Sequence, residues 1–380
     1  MHVIDTAGFT GNPLKRFDAQ QVAAVLFEPS AEEILEALFG QNAAENAAVI
    51  LVPQTLKRAR IDFGEVPISS DGLGPVLGLF TSGTTGEPKL HFHTLRSLLR
   101  GSSPGHRGKV WGMLYQSTRM AGIQVLLQAF SSKSQLVEPT NVSDLDRTVN
   151  EFVKAGVDSL SSTPSGWRMI LATKNFRELN LQFISMGGEI ATQQLLSDLV
   201  SAFPQAEVRH IYATTETGPV FSVPDGLEGF PEDYLNRNHA SGRVVRLESG
   251  ELMISSVDSG AQSNRLFATG DLVEVVNGRV LFAGRRDDLI NIGGNKISLM
   301  KVENAVQSLP EVLQCVAYSI PNPFLGSVVG VKVLWRQPPL TDSGLRAALI
   351  HQLPKYALPA VVISVDRMEL TDNFKKMRKL

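Results

Sequence analysis

Short apolar runs alternate with amphipathic stretches through the first three quarters of the chain. Residues 47–52, 110–114, 134–137, 182–186 and 208–212 are runs of strand length with few polar interruptions, the pattern of strands buried on both faces. Between them, residues 32–39, 118–130, 144–155 and 192–203 repeat apolar side chains every three or four positions, and some begin on a Ser, Thr or Asp suited to cap a helix. Such alternation predicts a layered α/β architecture with mostly parallel sheets.

After Leu227 the pattern changes to turns and hairpins. Residues 251–255, 272–276 and 279–283 read as strands, the last two joined by Asn277-Gly278, a strong hairpin signal because both residues tolerate positive φ. These strands predict a small β subdomain. The charged segment Gly284-Arg285-Arg286-Asp287-Asp288 follows and is a candidate boundary. Beyond Ile290 the chain predicts a compact α+β unit: helices at 299–308 and 343–352, and strands near 313–320, 328–335 and 360–365.

Composition narrows the class. The 380 residues are 43% hydrophobic and 19% charged, enough to bury a large domain and a small one. A formal net charge of -2 gives no global basic field for nucleic acid. The one dense basic run, residues 375–379, reads as a solvated tail. The single cysteine, Cys315, cannot form an internal disulfide, and no His/Cys spacing suggests zinc. His91 and His93 are expected on or near a strand rather than on a metal. No run approaches the ~18 apolar residues of a membrane span, and residues 1–18 lack the apolar core of a signal peptide. A cytoplasmic location is expected.

The chemistry concentrates in Phe80-Thr81-Ser82-Gly83-Thr84-Thr85-Gly86-Glu87-Pro88-Lys89, which packs two glycines, four hydroxyls and a lysine behind an apolar run. Glycines let backbone N–H groups approach anionic oxygens, hydroxyls add donors, and lysine adds a point charge, a combination suited to phosphates. A Walker loop needs lysine directly after glycine at a helix start; here Glu87 and Pro88 intervene, and proline discourages a helical residue before it. A P-loop kinase or ATPase is therefore disfavoured.

Further segments follow in order: Gly187-Gly188-Glu189, Tyr212-Ala213-Thr214-Thr215-Glu216, Thr269-Gly270-Asp271, Gly284 to Asp288, Gly293-Gly294-Asn295-Lys296, and Lys375 near the end. Together with the first loop they resemble the adenylate-forming superfamily of acyl-CoA synthetases, nonribosomal adenylation domains and firefly luciferases. The resemblance runs from about Leu79 to Leu380. It implies an α/β fold: a large N-terminal domain of layered, mostly parallel sheets and helices plus a small β subdomain, followed by a small α+β C-terminal lid. The expected division is a core at 1–284, a hinge at 285–289 and a mobile lid at 290–380. Relatives usually carry a longer region before the phosphate loop, so a shortened N-terminal subdomain is expected, with a homodimer as one way to cover its sheet.

The resemblance also implies roles. Thr81, Ser82, Gly83, Thr84, Thr85, Gly86 and Lys89 would close on the β- and γ-phosphates of ATP. Tyr212 and the backbone of Gly187-Gly188-Glu189 would sandwich adenine. Thr215 would contact the α-phosphate and Glu216 would bind Mg2+, a hard ion suited to carboxylate oxygen. Asp271 would accept the ribose hydroxyls, and Arg285 would donate to ribose or phosphate. Asp287 would be the hinge. Gly294 and Lys296 would lie near an incoming pantetheine thiol. Lys375 matches the lysine that reaches the reacting carboxylate; Phe374 replaces a usual glycine, which leaves Lys376 as the alternative.

The acyl pocket is expected to draw on Arg119, Met120, Thr163, Pro164, Met186 and Ala213, though most of these equally suit plain core. Arg119 stands where relatives carry an aromatic or histidine; it either pairs with a second carboxylate, as a succinylbenzoate would offer, or with phosphate, or caps a helix. The aspartate that holds an α-amino group in amino-acid-activating relatives is absent, which disfavours amino acids. The implied activity is ATP-dependent formation of an acyl- or aryl-adenylate from a small carboxylic acid, then transfer to coenzyme A. Carrier-protein phosphopantetheine is the alternative acceptor, an amine acceptor is not excluded, and a non-catalytic acyl-nucleotide-binding protein is the rival of another class. No nucleic acid or membrane partner is expected.

Overall fold

In a computed structural model, the protein is described at residues 1–5, 22–27, 29–39, 46–53, 76–81, 89–99, 107–214, 217–255, 266–336 and 338–368. The central element is a seven-stranded sheet. Its five inner strands, in spatial order Gln135–Glu138, Val110–Met113, Ser159–Ser162, Phe183–Gly187 and Glu207–Thr214, are all parallel. His2–Asp5 and Gly218–Val223 close the two edges antiparallel. The second strand in sequence lies outside the first, and the third lies on its other side, so the order reverses beside Val110–Met113. In an open α/β sheet the carboxyl ends of strands flanking such a reversal form a natural ligand crevice.

The sheet is buried on both faces, as its near-continuous apolar strands require. Trp111 and Met113 point into a core shared with Ile34, Leu77, Leu79 and Leu126. Leu160, Ile184 and Met186 enter a second core with Phe152, Trp167 and Leu196. The connecting helices are locally specified. Asp144, Thr163 and Thr192 each cap a helix by accepting a backbone N–H, at Arg147, Gly166 and Leu195.

A second sheet holds Val22–Phe27, Asn46–Val52 and Val76–Thr81 in parallel, with Lys89–Thr94 antiparallel at its edge. Residues 82–88 thus connect two antiparallel strands whose register pairs Thr81 with Lys89. His91 and His93 lie on the second of them, as expected.

The five-stranded antiparallel sheet matches the expected β subdomain: Phe230–Pro231, Arg279–Arg285, Leu266–Val276, Glu251–Ser255 and Val245–Glu248. Asn277 and Gly278 both adopt positive φ (52° and 76°), the backbone their hairpin demands. The strand Leu266–Val276 is longer than its apolar run suggests, because Thr269-Gly270-Asp271 lies within it across a register shift.

The C-terminal unit has its own sheet and core, with the helix Leu299–Gln307 against Cys315, Ala317, Val329 and Val331. It meets the preceding strand very closely. Gly284 has φ 138°, and a Cβ there would sit 2.1 Å from Ser298 Oγ. No described helix is long and apolar enough to cross a membrane.

Candidate active site

The carboxyl edge of the parallel sheet gathers segments far apart in sequence. Residues 114–119 follow Val110–Met113, Thr163 and Pro164 follow Ser159–Ser162, Gly188 and Glu189 follow Phe183–Gly187, and Thr214 ends Glu207–Thr214. One crossover pattern brings all four turns to one rim.

At this rim, three predicted residues meet. The Tyr212 hydroxyl donates to Asp271 Oδ2 at 2.8 Å, and Arg285 Nη1 lies 3.4 Å from Asp271 Oδ1. The meeting follows from local structure: Asp271 and Arg285 are cross-strand partners in the β subdomain, and Tyr212 ends the central sheet against it. Gly270, at φ 78°, lets the turn lie under Arg285, whose Nη2 also donates to the Thr269 carbonyl at 3.2 Å. The Tyr212 ring packs near Phe221 and Phe282, at centroid distances of 5.3 and 5.6 Å with the planes tilted by 32° and 39°. Burial, then the neighbouring Asp271 carboxylate, pushes the Tyr212 hydroxyl well above its ordinary range, so it stays a protonated donor.

The glycine turn is equally constrained. Gly188 has φ 80°, and a Cβ on Gly187 would lie 3.3 Å from the Ile211 carbonyl, so the backbone runs tightly beside the next strand. Glu189 Oε2 accepts the Ser165 N–H at 2.9 Å, placing a carboxylate in the first turn of the helix Pro164–Leu171 where the helix dipole favours it. At the end of Glu207–Thr214, Thr214 Oγ1 accepts from Thr217 N at 3.1 Å and lies 2.9 Å from Thr217 Oγ1.

Other expected residues have plainer settings. Thr163 is fully buried as a helix cap, Pro164 is the first residue of that helix, and Met186 is fully buried in the core. Met120 packs at the margin of the first core, and Ala213 is half-buried. Arg119 occupies the start of the helix Met120–Ser131 but makes no side-chain cap; its Nη1 donates instead to the Phe80 carbonyl at 3.1 Å. Asp287 lies in the single helical turn Arg286–Asp288, and Gly294 and Lys296 are exposed on the hairpin of Leu289–Ile292 and Asn295–Ser298. Ser82, Gly83, Thr84, Thr85, Gly86, Thr215, Glu216, Lys375 and Lys376 lie outside the described residues, and only the strand backbone is described at Thr81 and Lys89.

Two residues escaped the sequence reading. Glu251 is 5% exposed; its Oε1 accepts the Gly270 N–H at 2.8 Å and its Oε2 pairs with Arg286. It braces the Asp271 turn and ties it to the candidate hinge. A lone acid opening the apolar run of 251–255 was the available signal. Tyr115, also 5% exposed, is pushed above its ordinary range chiefly by burial and meets Ser161 and the Gly187 backbone.

A fold of this type, an open α/β sheet with an aromatic, an acid and a guanidinium gathered at its carboxyl rim, belongs to the class of doubly wound α/β proteins, in which ligands bind outside the strand ends. Residues 18–259 match the AMP-binding enzyme family and residues 301–375 match the AMP-binding enzyme C-terminal domain; the chain belongs to that family. It is 22% identical over 425 residues to surfactin synthase subunit 1 of Bacillus subtilis, spanning 96% of this chain but 11% of that protein. It is 25% identical over 399 residues to an acyl-CoA synthetase, ALT10, of Alternaria alternata, spanning 88% of this chain and 68% of the relative. Over 342 residues it is 24% identical to the D-alanine--D-alanyl carrier protein ligase of Staphylococcus aureus, spanning 80% of this chain and 70% of that protein.

Among solved structures, the anthranilate CoA ligase AuaEII in complex with anthranoyl-AMP shares the fold at a TM-score of 0.70 and 15% identity, covering 97% of this chain and 88% of that one. The o-succinylbenzoate CoA synthetase of Bacillus subtilis shares it at 0.62 and 17%, covering 94% and 87%.

Proposed function

We propose that the chain is an ATP-dependent carboxylate-activating ligase that forms an acyl- or aryl-adenylate, releases pyrophosphate, and passes the acyl group to a pantetheine thiol, with coenzyme A the preferred acceptor. The observation that carries this reading is the Tyr212–Asp271–Arg285 cluster on the rim where the glycine turn ends. A flat ring, a carboxylate acceptor and a guanidinium donor are the groups a nucleoside with its ribose diol and phosphate requires.

In the first half-reaction a carboxylate oxygen attacks the α-phosphorus of ATP in line, and the bond to the β-phosphate oxygen breaks. Tyr212 and the Gly187-Gly188-Glu189 backbone hold adenine, Asp271 accepts from the ribose hydroxyls, and Arg285 donates to ribose or phosphate. The loop of Thr81 to Lys89 closes over the departing phosphates, Thr215 contacts the α-phosphate, and Lys375 donates to the reacting carboxylate. Arg119, bonded to the Phe80 carbonyl, steadies the stem of that loop. Thr214 and Thr217 bring two hydroxyl oxygens together, and oxygen ligands are the chemistry magnesium takes; Glu216 would hold it. Magnesium there would supply charge to offset the phosphates.

In the second half-reaction the thiol sulfur attacks the acyl carbon and AMP leaves. Residues 1–284 form the core, 285–289 the hinge and 290–380 the lid, which turns about Asp287 so that Gly294 and Lys296 approach the thiol. Met120, Thr163, Pro164, Met186 and Ala213 shape the acyl side. We assign the protein to the cytoplasm. Similarity to a carrier protein ligase supports a second acceptor, a phosphopantetheinyl carrier protein.

ATP–pyrophosphate exchange against a panel of aryl, alkyl and dicarboxylic acids tests the reading, with Lys375→Ala alongside. Exchange with one acid class, cut on the order of a hundredfold in Lys375→Ala, is expected, as for loss of one key charge-stabilising group. Thioester formation from preformed adenylate should be largely spared in that variant. Silence with every acid would overturn the reading.

A further inference from the structure

The helix Pro164–Leu171 touches two parts of the molecule at once. Its first turn meets the glycine turn, where the Ser165 N–H donates to Glu189 Oε2 at 2.9 Å. One turn further on, Arg168 Nη2 donates to Thr192 Oγ1 at 3.0 Å. Residues 189–192 are therefore clasped at both ends by one helix, and Thr192 in turn caps the helix Gln193–Ala202. The helix Pro164–Leu171 also rests on the strand Val312–Asn322 of the C-terminal unit.

Charge follows the same path. Burial disfavours the Arg168 cation, and Glu189, Glu303 and Asp198 each favour it. Glu189 belongs to the glycine turn, Asp198 to the helix Gln193–Ala202, and Glu303 to the helix Leu299–Gln307 of the C-terminal unit. Glu303 is buried, and its Oε1 accepts the Ala317 N–H at 3.0 Å, so its carboxylate is fixed on the strand that meets the Arg168 helix. A second pair, Arg336 with Asp198 at 3.6 Å, spans the same junction. A buried guanidinium left without its counter-charges is strongly disfavoured. If the C-terminal unit withdraws, Arg168 loses Glu303 and gains water, which competes for its bond to Thr192.

We infer that Arg168 is a positioning residue for the nucleotide, acting through Glu189 and Thr192, and that Glu303 makes its hold on the glycine turn depend on docking of the C-terminal unit. The inference rests on the adenylation reading, in which that turn lies against adenine, and adds to it a named link between the adenine side of the site and the C-terminal unit. Linkage is reciprocal, so a nucleotide bound at the turn also favours docking.

Calorimetric titration of the full chain with ATP and magnesium tests the link without requiring turnover, on wild type, Arg168→Gln, Arg168→Lys, Glu303→Gln and the double variant Arg168→Gln/Glu303→Gln. The Glu303 change keeps an amide oxygen for the Ala317 N–H and removes only the charge. Arg168→Gln and Glu303→Gln should each weaken ATP binding by roughly threefold to tenfold, as for residues that carry coupling without touching the ligand, while Arg168→Lys stays within about twofold of wild type. The double variant should bind no more weakly than Arg168→Gln, the mark of two residues on one path. In pyrophosphate exchange KM for ATP should rise while KM for the acid and for pyrophosphate hold, a split that a general loss of structure would not give. Unchanged ATP binding in Glu303→Gln, effects that add in the double variant, or a rise in all three KM values would each overturn the inference alone. Should Arg168→Gln fail to fold, Glu303→Gln decides in the wild-type and Arg168→Lys backgrounds: weakened ATP binding in both is expected, and unchanged binding in either overturns the inference. Failure of the wild type to bind ATP would overturn the adenylation reading and this inference with it.

Discussion

Asp271 sits between two donors, the Tyr212 hydroxyl and the Arg285 guanidinium, so removing it takes an acceptor from each, while Arg285 keeps the Thr269 carbonyl. Asp271→Ala should raise KM for ATP by roughly tenfold to a hundredfold, the loss of a charge-assisted hydrogen bond at about 1.4 kcal/mol per tenfold, measured by pyrophosphate exchange at saturating acid. The Tyr212 hydroxyl carries a pH consequence. Its folded pKa is raised, so the folded state keeps a proton that the unfolded chain releases near pH ~10. Its contribution to stability is whole below that pH and falls as pH rises through it. Tyr212→Phe should flatten the alkaline decline seen by urea unfolding. Residue types at this cluster were legible in the sequence because each sits in a short motif. Glu251 was not, since its role comes from a cross-strand neighbour, Gly270, and from Arg286 beyond the next strand.

At the scale of elements, the strongest local signals were the helix caps and the Asn277-Gly278 hairpin, where one or two side chains decide the backbone. The helix Pro164–Leu171 went unread because it is only eight residues long and opens on Pro164-Ser165-Gly166, residues that in sequence signal a turn. Its cap shows what it depends on: Thr163→Ala should lower stability by ~1 kcal/mol, or somewhat more because the cap is fully buried, as read by denaturant unfolding. Gly284 decides how two elements meet. With φ 138° and Ser298 Oγ 2.1 Å from an added Cβ, Gly284→Ala should cost about 1–3 kcal/mol and displace the start of the helix Leu299–Gln307. A melting temperature unchanged from wild type would refute that constraint.

Across the whole molecule, the C-terminal sheet rests on the core through the strand Val312–Asn322 and the helix Pro164–Leu171. Cys315 and Ala317 point into the C-terminal core, so alternation turns Gln314 and Val316 to the opposite face, where both are also buried. Arg168, 6% exposed, feels Glu189, Glu303 and Asp198 together; burial lowers its guanidinium to about 10, and it remains charged at neutral pH. Arg336 reaches Asp198 at 3.6 Å from the C-terminal side. Against these attractions stands Gln314, fully buried with neither amide atom partnered among the described residues. Such an interface is held by charge and weakened by one orphan amide. Gln314→Leu should raise stability by about 1–3 kcal/mol. If the two half-reactions use different poses of the lid, the same variant should change their ratio, read by comparing pyrophosphate exchange with thioester formation.

By itself the sequence determined the layered α/β class, four of the five parallel strands of the central sheet, four of the helices packed on the sheets, and the family, because periodicity, caps and glycine turns act over a few neighbouring residues. It also located the change from parallel layers to hairpins near Leu227. Only the tertiary structure decided that Tyr212, Asp271 and Arg285 meet, that Arg119 holds the Phe80 strand end, and that Glu251 braces the turn at Gly270. Those outcomes depend on which strand lies beside which and on how closely a helix can press on a loop. Both are set by the packing of distant segments and leave no short-range pattern in the chain.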